Sequence, residues 1–300
     1  MMMKKYYTIL FFLFPVCAAV QAQEPDLIKE LKKEETPARS HVTNAFKSSR
    51  VINNHSIEFI GKGVLDVRFL HRFGTVNSGI ENLFGLDQAN TRIGFDYGLS
   101  KRLMAGFGRS SVGKELDGFL KYRPIWQSND PGGSPVTIVL VSGITLNTAP
   151  WAFPDRKNYF HSRLAFYHEV IIGRKFSDAF SLQLNPTLVH RNLVPGANDH
   201  NNTFALGVGS RLKLTKRTAF MLDYQPVLSG RQAGTKDMLA LGFDIETGGH
   251  VFQLHFTNAT GMNEKAFTTN TTDDFWKGDI RFGFNLSRVF TVGRKKGSSL

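Results

Sequence analysis

The chain has 300 residues, 41% of them hydrophobic, one cysteine and a formal net charge of +12. That length suits a single closed sheet, so it does not demand two domains. The apolar content is too low and too dispersed for a helical membrane protein, because beyond the N-terminus no run approaches the ~18 apolar residues of a spanning helix. The basic balance does not point to nucleic acid, since the cations gather neither on one helix nor beside an aromatic stacking platform.

Residues 1–22 have the order of parts of a secretory signal peptide: basic Lys4 and Lys5, an apolar core from Tyr6 to Val16, and the small-residue cleavage site Val20-Gln21-Ala22. The expected mature chain starts at Gln23 and has a formal charge of +10, the +12 less Lys4 and Lys5. Cys17 leaves with the leader. A lipoprotein reading would acylate it, but Phe14-Pro15-Val16 lacks the small residue expected before such a cysteine. The mature chain therefore has no cysteine for a disulfide, a metal site or a nucleophile.

Residues 23–62 are expected to be a periplasmic N-terminal segment or a small plug. The first part, QEPDLIKELKKEETP, is dense in charge, with Asp26 placed to cap a short helix and Pro37 to stop it. The second, HVTNAFKSSRVINNHSIEFIGKG, is less charged and poorly periodic, which favours a lead-in to the first strand over a plug in the barrel mouth.

From residue 63 onward the pattern has period two. It is clearest over Asn90–Gly108, where Ile93, Phe95, Tyr97 and Leu99 alternate with Arg92, Gly94, Asp96 and Gly98. After a turn at Ser100-Lys101, Leu103, Ala105 and Phe107 resume the apolar row, giving an antiparallel hairpin with one continuous greasy face. Similar units follow to the last strand, Gly278 to Val292. Strand five, Val136 to Leu146, is apolar on both faces at its centre, so its facing is ambiguous. Links after odd strands are mostly long and links after even strands short, Trp126–Pro135 excepted, as a barrel with both ends in the periplasm requires. The pattern predicts an all-β protein: an antiparallel transmembrane β-barrel of about 12 strands over residues 63–292, with a basic tail at 293–300. Closure follows from the solvent, since lipid offers no hydrogen bonds to an open sheet edge.

Several strings are recognisable together: AFKSSRVINNHSIE, HRFG at His71–Gly74, LFGLD at Leu83–Asp87, GFGRSS at Gly106–Ser111 and LKYR at Leu120–Arg123. They resemble an uncharacterised family of bacterial outer-envelope β-barrel proteins over most of the mature chain. The resemblance implies a barrel and carries over no catalytic set.

Parity places one row of charges inside. Arg68, Arg92, Lys121, Arg123, Arg163, Arg211, Lys213 and Arg281 are expected to face a lumen that also holds Asp66, Asp96, Glu115, Asp117, Glu169, Asp223, Asp244 and Asp279. The two signs balance, which argues against a strongly ion-selective pore. They would form either a polar conduit for small solutes or braces that fill a narrow barrel. A second group, Lys101, Arg102, Arg174, Lys175, Lys216 and Arg217, is expected on the periplasmic rim, with Arg294, Lys295 and Lys296 in the tail. There the cations meet anionic headgroups or an acidic periplasmic partner. Ser162 and His190 would come together on the outer face if strands six and seven pair through their short turn, the minimum a membrane lipid hydrolase needs.

His71, His161, His168, His250 and His255 lack a metal-ligand spacing, and Thr271–Asp274 lacks the ligand repeat of a calcium loop. No metal, cofactor or enzymatic activity is expected. The expectation is a cell outer-membrane barrel, exported by a cleaved signal peptide, that conducts small hydrophilic solutes. The alternative is an occluded barrel anchoring a periplasmic or surface partner, and a lipid hydrolase ranks below both. Its expected associates are outer-membrane lipids, the barrel-assembly machinery, and a small hydrophilic solute or a periplasmic protein, with no nucleic acid.

Overall fold

In the computed structural model residues 40–196, 198–247 and 250–292 are described. The expected signal peptide with Cys17, the charged segment before residue 40 and the expected basic tail lie outside these residues.

Alternation becomes twelve antiparallel strands: β1 (Val64–Thr75), β2 (Ala89–Gly98), β3 (Leu103–Ser110), β4 (Glu115–Ile125), β5 (Thr137–Asn147), β6 (Leu164–Lys175), β7 (Phe180–Arg191), β8 (Asn202–Lys213), β9 (Thr218–Gln225), β10 (Met238–Thr247), β11 (His250–Thr257) and β12 (Arg281–Thr291). After Pro226, which has no N–H to give the ladder, β9 resumes as Val227–Ser229 and keeps β8 as its neighbour. Each strand pairs with the next. Then β1 pairs with β12 from Val64↔Thr291 to Thr75↔Arg281, and the sheet closes with no edge.

The period-two pattern becomes two surfaces. On β7, Leu184 is 41% exposed on the outside while Asn185 beside it is fully buried on the inside. The outer face carries exposed Phe107, Leu120, Leu140, Phe243 and Phe256. Cross-strand aromatic contacts run along it, among them Phe95–Phe107 at 5.1 Å, Phe69–Phe284 at 6.1 Å and Phe220–Phe243 at 5.6 Å between ring centroids. An apolar belt outside and a polar interior invert a water-soluble protein and match a barrel set in lipid.

Strand five resolves its ambiguity here. Val139 and Val141 point inward and Leu140 and Ile144 outward. The inner pair is apolar because it joins a buried cluster with Ile57, Ile171 and other residues, not because it meets lipid.

Residues 44–60 do not simply lead into β1. They fold back inside the barrel as a hairpin, with an antiparallel bridge Arg50↔His55 and a tight turn closed by Val51 N–H to Asn54 O at 2.8 Å. Phe46, Val51, Ile52 and Ile57 are fully enclosed. The chain enters past the β4–β5 connection, where Val42 N donates to Gln127 O and His41 stacks on Trp126 at 4.5 Å. It leaves beside the β2–β3 turn, where Gly63 N donates to Gly98 O. The unusual length of the β4–β5 connection has its reason in this docking, since Asp130 accepts from Ser40 N and Ser128 Oγ donates to Ser40 O.

From the opposite rim the long β11–β12 connection also turns inward. It carries a short helix, α1 (Glu264–Thr269), whose first N–H groups are capped by Asn263 through Ala266 N at 2.8 Å. Met262, Ala266 and Phe267 are buried, and α1 lies against β6, β7 and β8. No helix is long and apolar enough to cross a membrane among the described residues.

Candidate functional site: the occupied lumen

The site is the inner wall together with the hairpin it encloses. The polar side chains that alternation turns inward meet backbone groups of the hairpin, which has no neighbouring strand of its own to satisfy them. At the tip, Ile52 N, Asn53 N and Asn54 N all donate to Asp223 Oδ2 at 3.1, 2.6 and 3.0 Å, and Asn54 Nδ2 donates to Oδ1 at 2.6 Å. Around the same tip Gln253 donates to Val51 O, Asn285 to Ile52 O and Arg72 to Asn53 Oδ1. On one flank Gln183 donates to His55 O at 2.6 Å and accepts from Ile57 N at 3.0 Å. On the other, Arg68 reaches Ser48 and Ser49, and Ser49 donates to Asp96. Lys121 donates to Ser49 O and Glu58 O, and Arg123 donates to Ile57 O while lying over Phe59 and Trp126.

The remaining inward charges pair on the wall. Arg92 forks onto Asp117, with Nε to Oδ1 at 2.9 Å. It crosses there because Gly94 and Gly108 lie under its guanidinium, where any Cβ would collide. Asp66 meets Arg68 at 3.5 Å and accepts from Ser287. Glu169 accepts from Asn185, Asp244 from Gln253, and Arg211 lies 3.7 Å from Glu246. Glu115 holds Asn263 at 2.8 Å and Lys265 at 2.6 Å, tying α1 to the wall.

Hairpin and α1 meet at one charged contact. Arg50 Nη1 pairs with Glu264 Oε1, and His55 Nε2 lies 3.1 Å from the same oxygen. His55 sits edge-on to Phe119 at 4.5 Å, with the Arg50 guanidinium 5.7 Å from that ring. All three polar side chains are enclosed. Burial, with the Arg50 charge beside it, pushes His55 down to about 3, so the imidazole is neutral and donates to the carboxylate. Burial opposes the charge on Glu264, but Arg50 and His55 outweigh it and hold the carboxyl well below its usual range. Burial likewise opposes the Arg50 charge, and Glu264 outweighs it, so the guanidinium titrates above its ordinary value.

Twelve of the sixteen residues that parity placed inside are buried within the barrel: Asp66, Arg68, Arg92, Asp96, Glu115, Asp117, Lys121, Arg123, Glu169, Arg211, Asp223 and Asp244. The other four are at the rims. Arg163 ends the 3-10 turn before β6 and donates to Asn147 O and Ala149 O. Asp279 lies in the β11–β12 connection and accepts from Asn77 and Asp274 N. Arg281, at the first position of β12, pairs with Asp273 at 2.7 Å, and Lys213, at the last position of β8, is exposed. Arg163 and Asp279 lie outside the ladder, where alternation does not hold, and Lys213 and Arg281 stand at its ends.

Lys101, Arg102, Arg174, Lys216 and Arg217 are exposed at the end where the hairpin enters. Lys175 is half-buried and engaged by Asp178 at 2.8 Å and Thr43 O at 3.3 Å. The Ser162–His190 pair does not form: the ladder sets His190 opposite Phe166, and His190 Nδ1 lies 2.7 Å from Asn202, while Ser162 sits in the turn before β6. A different pair, Ser142 Oγ and His168 Nδ1 at 3.0 Å, faces outward across β5 and β6, where each supplies the other's hydrogen bond on a face that offers no water. Among the described residues no group of histidine, cysteine, aspartate and glutamate could hold a metal ion.

Arg50, His55 and Glu264 were not among the sequence candidates. The signal for Arg50 and His55 is the polar run SSRVINNHS, too rich in hydrogen-bonding groups for a lead-in strand and too poor in charge for a solvated linker, whereas Glu264 has no local signal.

A closed twelve-strand sheet, apolar outside and polar inside, defines an outer-membrane type of β-barrel. The chain belongs to the family described as membrane-bound β-barrel domain (DUF5777), whose model matches residues 46–290, hairpin included. No curated protein matches it. Among solved structures it is similar to a NanC porin, with 10% identity over 76% of this chain and 98% of that one and a TM-score of 0.48. It is also similar to a KdgM porin, with 8% identity, 76% and 98% coverage and a TM-score of 0.44. The COG4313 outer membrane channel of Pseudomonas putida F1 has 13% identity, 78% and 97% coverage and a TM-score of 0.42.

Proposed function

We propose that this outer-membrane barrel is a channel for small hydrophilic solutes and that residues 44–60 are its plug, latched from the outer side by α1. The observation that carries this reading is the chemistry of the hairpin–wall contact. Asp223, Gln183, Gln253, Asn285, Arg68 and Lys121 hold hairpin backbone and hydroxyl groups by hydrogen bonds that water can replace when the hairpin leaves. The enclosed apolar side chains Phe46, Val51, Ile52 and Ile57 oppose departure, which makes the docked hairpin the resting state. The wall left behind would carry acids and bases in balance, so the open channel discriminates weakly between cations and anions.

The test is single-channel conductance in a planar bilayer for the full-length protein and for a form lacking residues 23–62. The truncated form is expected to conduct steadily with weak ion selectivity, and the intact form to be closed for most of the time. A folded, inserted truncated barrel that does not conduct rules the channel out. A second reading, an occluded barrel that anchors a partner, has in its favour the exposed cations Lys101, Arg102, Arg174, Lys216 and Arg217 around the hairpin's entrance. Persistent silence of both forms, with capture of an acidic periplasmic protein by that rim, would favour it.

A further inference from the structure

We propose that the outer mouth carries a binding site for a carboxylate-bearing sugar, so that the solutes of the channel proposed above include uronic acids. The transport part of this statement rests on that channel reading, and the binding part does not. The cavity has a volume of about 630 Å³ and lies between the β5–β6 and β7–β8 connections and α1. That is the size of an ordinary small-molecule pocket, ~300–1,000 Å³.

Its charge is one-sided. Arg156, Lys157, Arg163, Arg191 and Lys265 border it, Lys265 being already paired with Glu115 behind the wall, and no aspartate or glutamate lines the cavity among the described residues. The central observation is Arg191: only 5% exposed, it has Nε and Nη2 without a hydrogen-bond acceptor among the described residues. Asp199 acts on it electrostatically, but its Oδ2 accepts from Gly196 N instead. A buried guanidinium lacking an acceptor is costly, and a ligand carboxylate bound there removes that cost.

Trp151, Phe153 and Tyr159 supply rings, each with a cation over it: Arg163 at 3.8 Å, Arg156 at 4.5 Å and Lys157 at 5.1 Å from the ring centroids. One face of each ring is taken by its cation, the C–H face of a pyranose would use the other, and Asn147, Asn158 and Ser162 offer partners for its hydroxyls. An inorganic anion would use the cations and leave the aromatic walls idle. An aromatic acid would leave the polar groups idle. A carboxylated sugar engages all three. Lys265 also places the site one residue from Glu264, which holds the plug.

Acidic sugars reach this face either as dissolved solutes or within glycolipid of the outer leaflet, and the experiment separates the two. Full-length protein purified in detergent and free of glycolipid is titrated by calorimetry with glucuronate, glucose, benzoate and purified lipopolysaccharide. Glucuronate is expected to bind saturably, glucose and benzoate at least about tenfold more weakly, and Arg191→Gln to weaken glucuronate about tenfold. Folding of the variant is checked by heat-modifiable mobility on a gel. If it does not fold, Lys265→Gln and Trp151→Ala carry the same expectation. Equal affinity for glucuronate and glucose, equal affinity for benzoate, or a folded variant with undiminished binding each overturns the site. Displacement of glucuronate by lipopolysaccharide at these residues makes the ligand a membrane glycolipid and overturns the transported-solute part. Binding without conductance keeps the site and removes the channel, whereas conductance without binding does the reverse.

Discussion

Asp223 shows how one side chain can seat a whole segment. Its carboxylate collects three successive backbone N–H groups at the hairpin tip, an arrangement that no apolar or shorter polar side chain reproduces. Asp223→Ala leaves those buried donors unmatched and is expected to weaken hairpin docking by about 2 kcal/mol or more. Because Cys17 is the only cysteine, a single cysteine placed at Ser49 would report docking through its rate of maleimide labelling, which should rise in the variant. His55 gives a pH dependence. It titrates near 6.5 in water and about 3 when docked, facing Arg50 and Glu264 with Lys121 acting on it from β4. The undocked hairpin therefore binds a proton that the docked one refuses. Docking is fully present above about pH 6.5 and is lost progressively as pH falls toward 3. Glu264, whose docked value lies below 4.5, adds a loss that begins only beneath that pH. Openings are expected to grow more frequent on acidification, and His55→Asn should abolish the part of the response between 6.5 and 4.5 while leaving the more acidic part.

At the scale of elements, the barrel strands and the lumen fillers obey different rules. On β4, Leu120 faces outward and Lys121 inward, one residue apart. Leu120→Arg puts a cation on the lipid face and is expected to cost about 2–4 kcal/mol if the position is near the bilayer midplane, measured by urea unfolding in liposomes. One residue on, the cation of Lys121 already has the hairpin carbonyls of Ser49 and Glu58 to meet it. The hairpin and α1 depend on each other through Arg50 and Glu264. Glu264→Gln leaves a guanidinium buried without its counter-charge, a change that costs about 3–5 kcal/mol where neither partner can reach water. The hairpin has a way out, so the expected result is faster labelling at position 49 and a higher open probability, with an unchanged barrel melting profile. Alternation identified strands β1 to β12 because each strand writes its two faces in its own residues. Arg163, Lys213, Asp279 and Arg281, which it put in the same row, sit where the ladders begin or end, and it left β5 undecided because Val139 and Val141 serve the hairpin side of the wall.

For the whole molecule, the membrane sets the exterior and the electrostatics of one rim. Lys101, Arg102, Arg174, Lys216 and Arg217 lie on the end where the hairpin enters and β12 finishes, and each contributes about 1 kcal/mol when near an anionic surface. Changing these five to glutamine is expected to weaken retention on vesicles rich in anionic lipid and to have little effect on neutral ones, as read by flotation. The closed sheet, its strand number, its apolar belt and most of its inward charges were legible in the sequence, because parity along a strand is local and lipid enforces it at every position. The contents of the lumen were not. Arg50 and Glu264 stand 214 residues apart, and the hairpin carries no periodicity because its partners are individual side chains scattered over the wall rather than a neighbouring strand. Closing the barrel is what brings those side chains around one segment, so only the tertiary structure decided that the polar interior is filled, and by what.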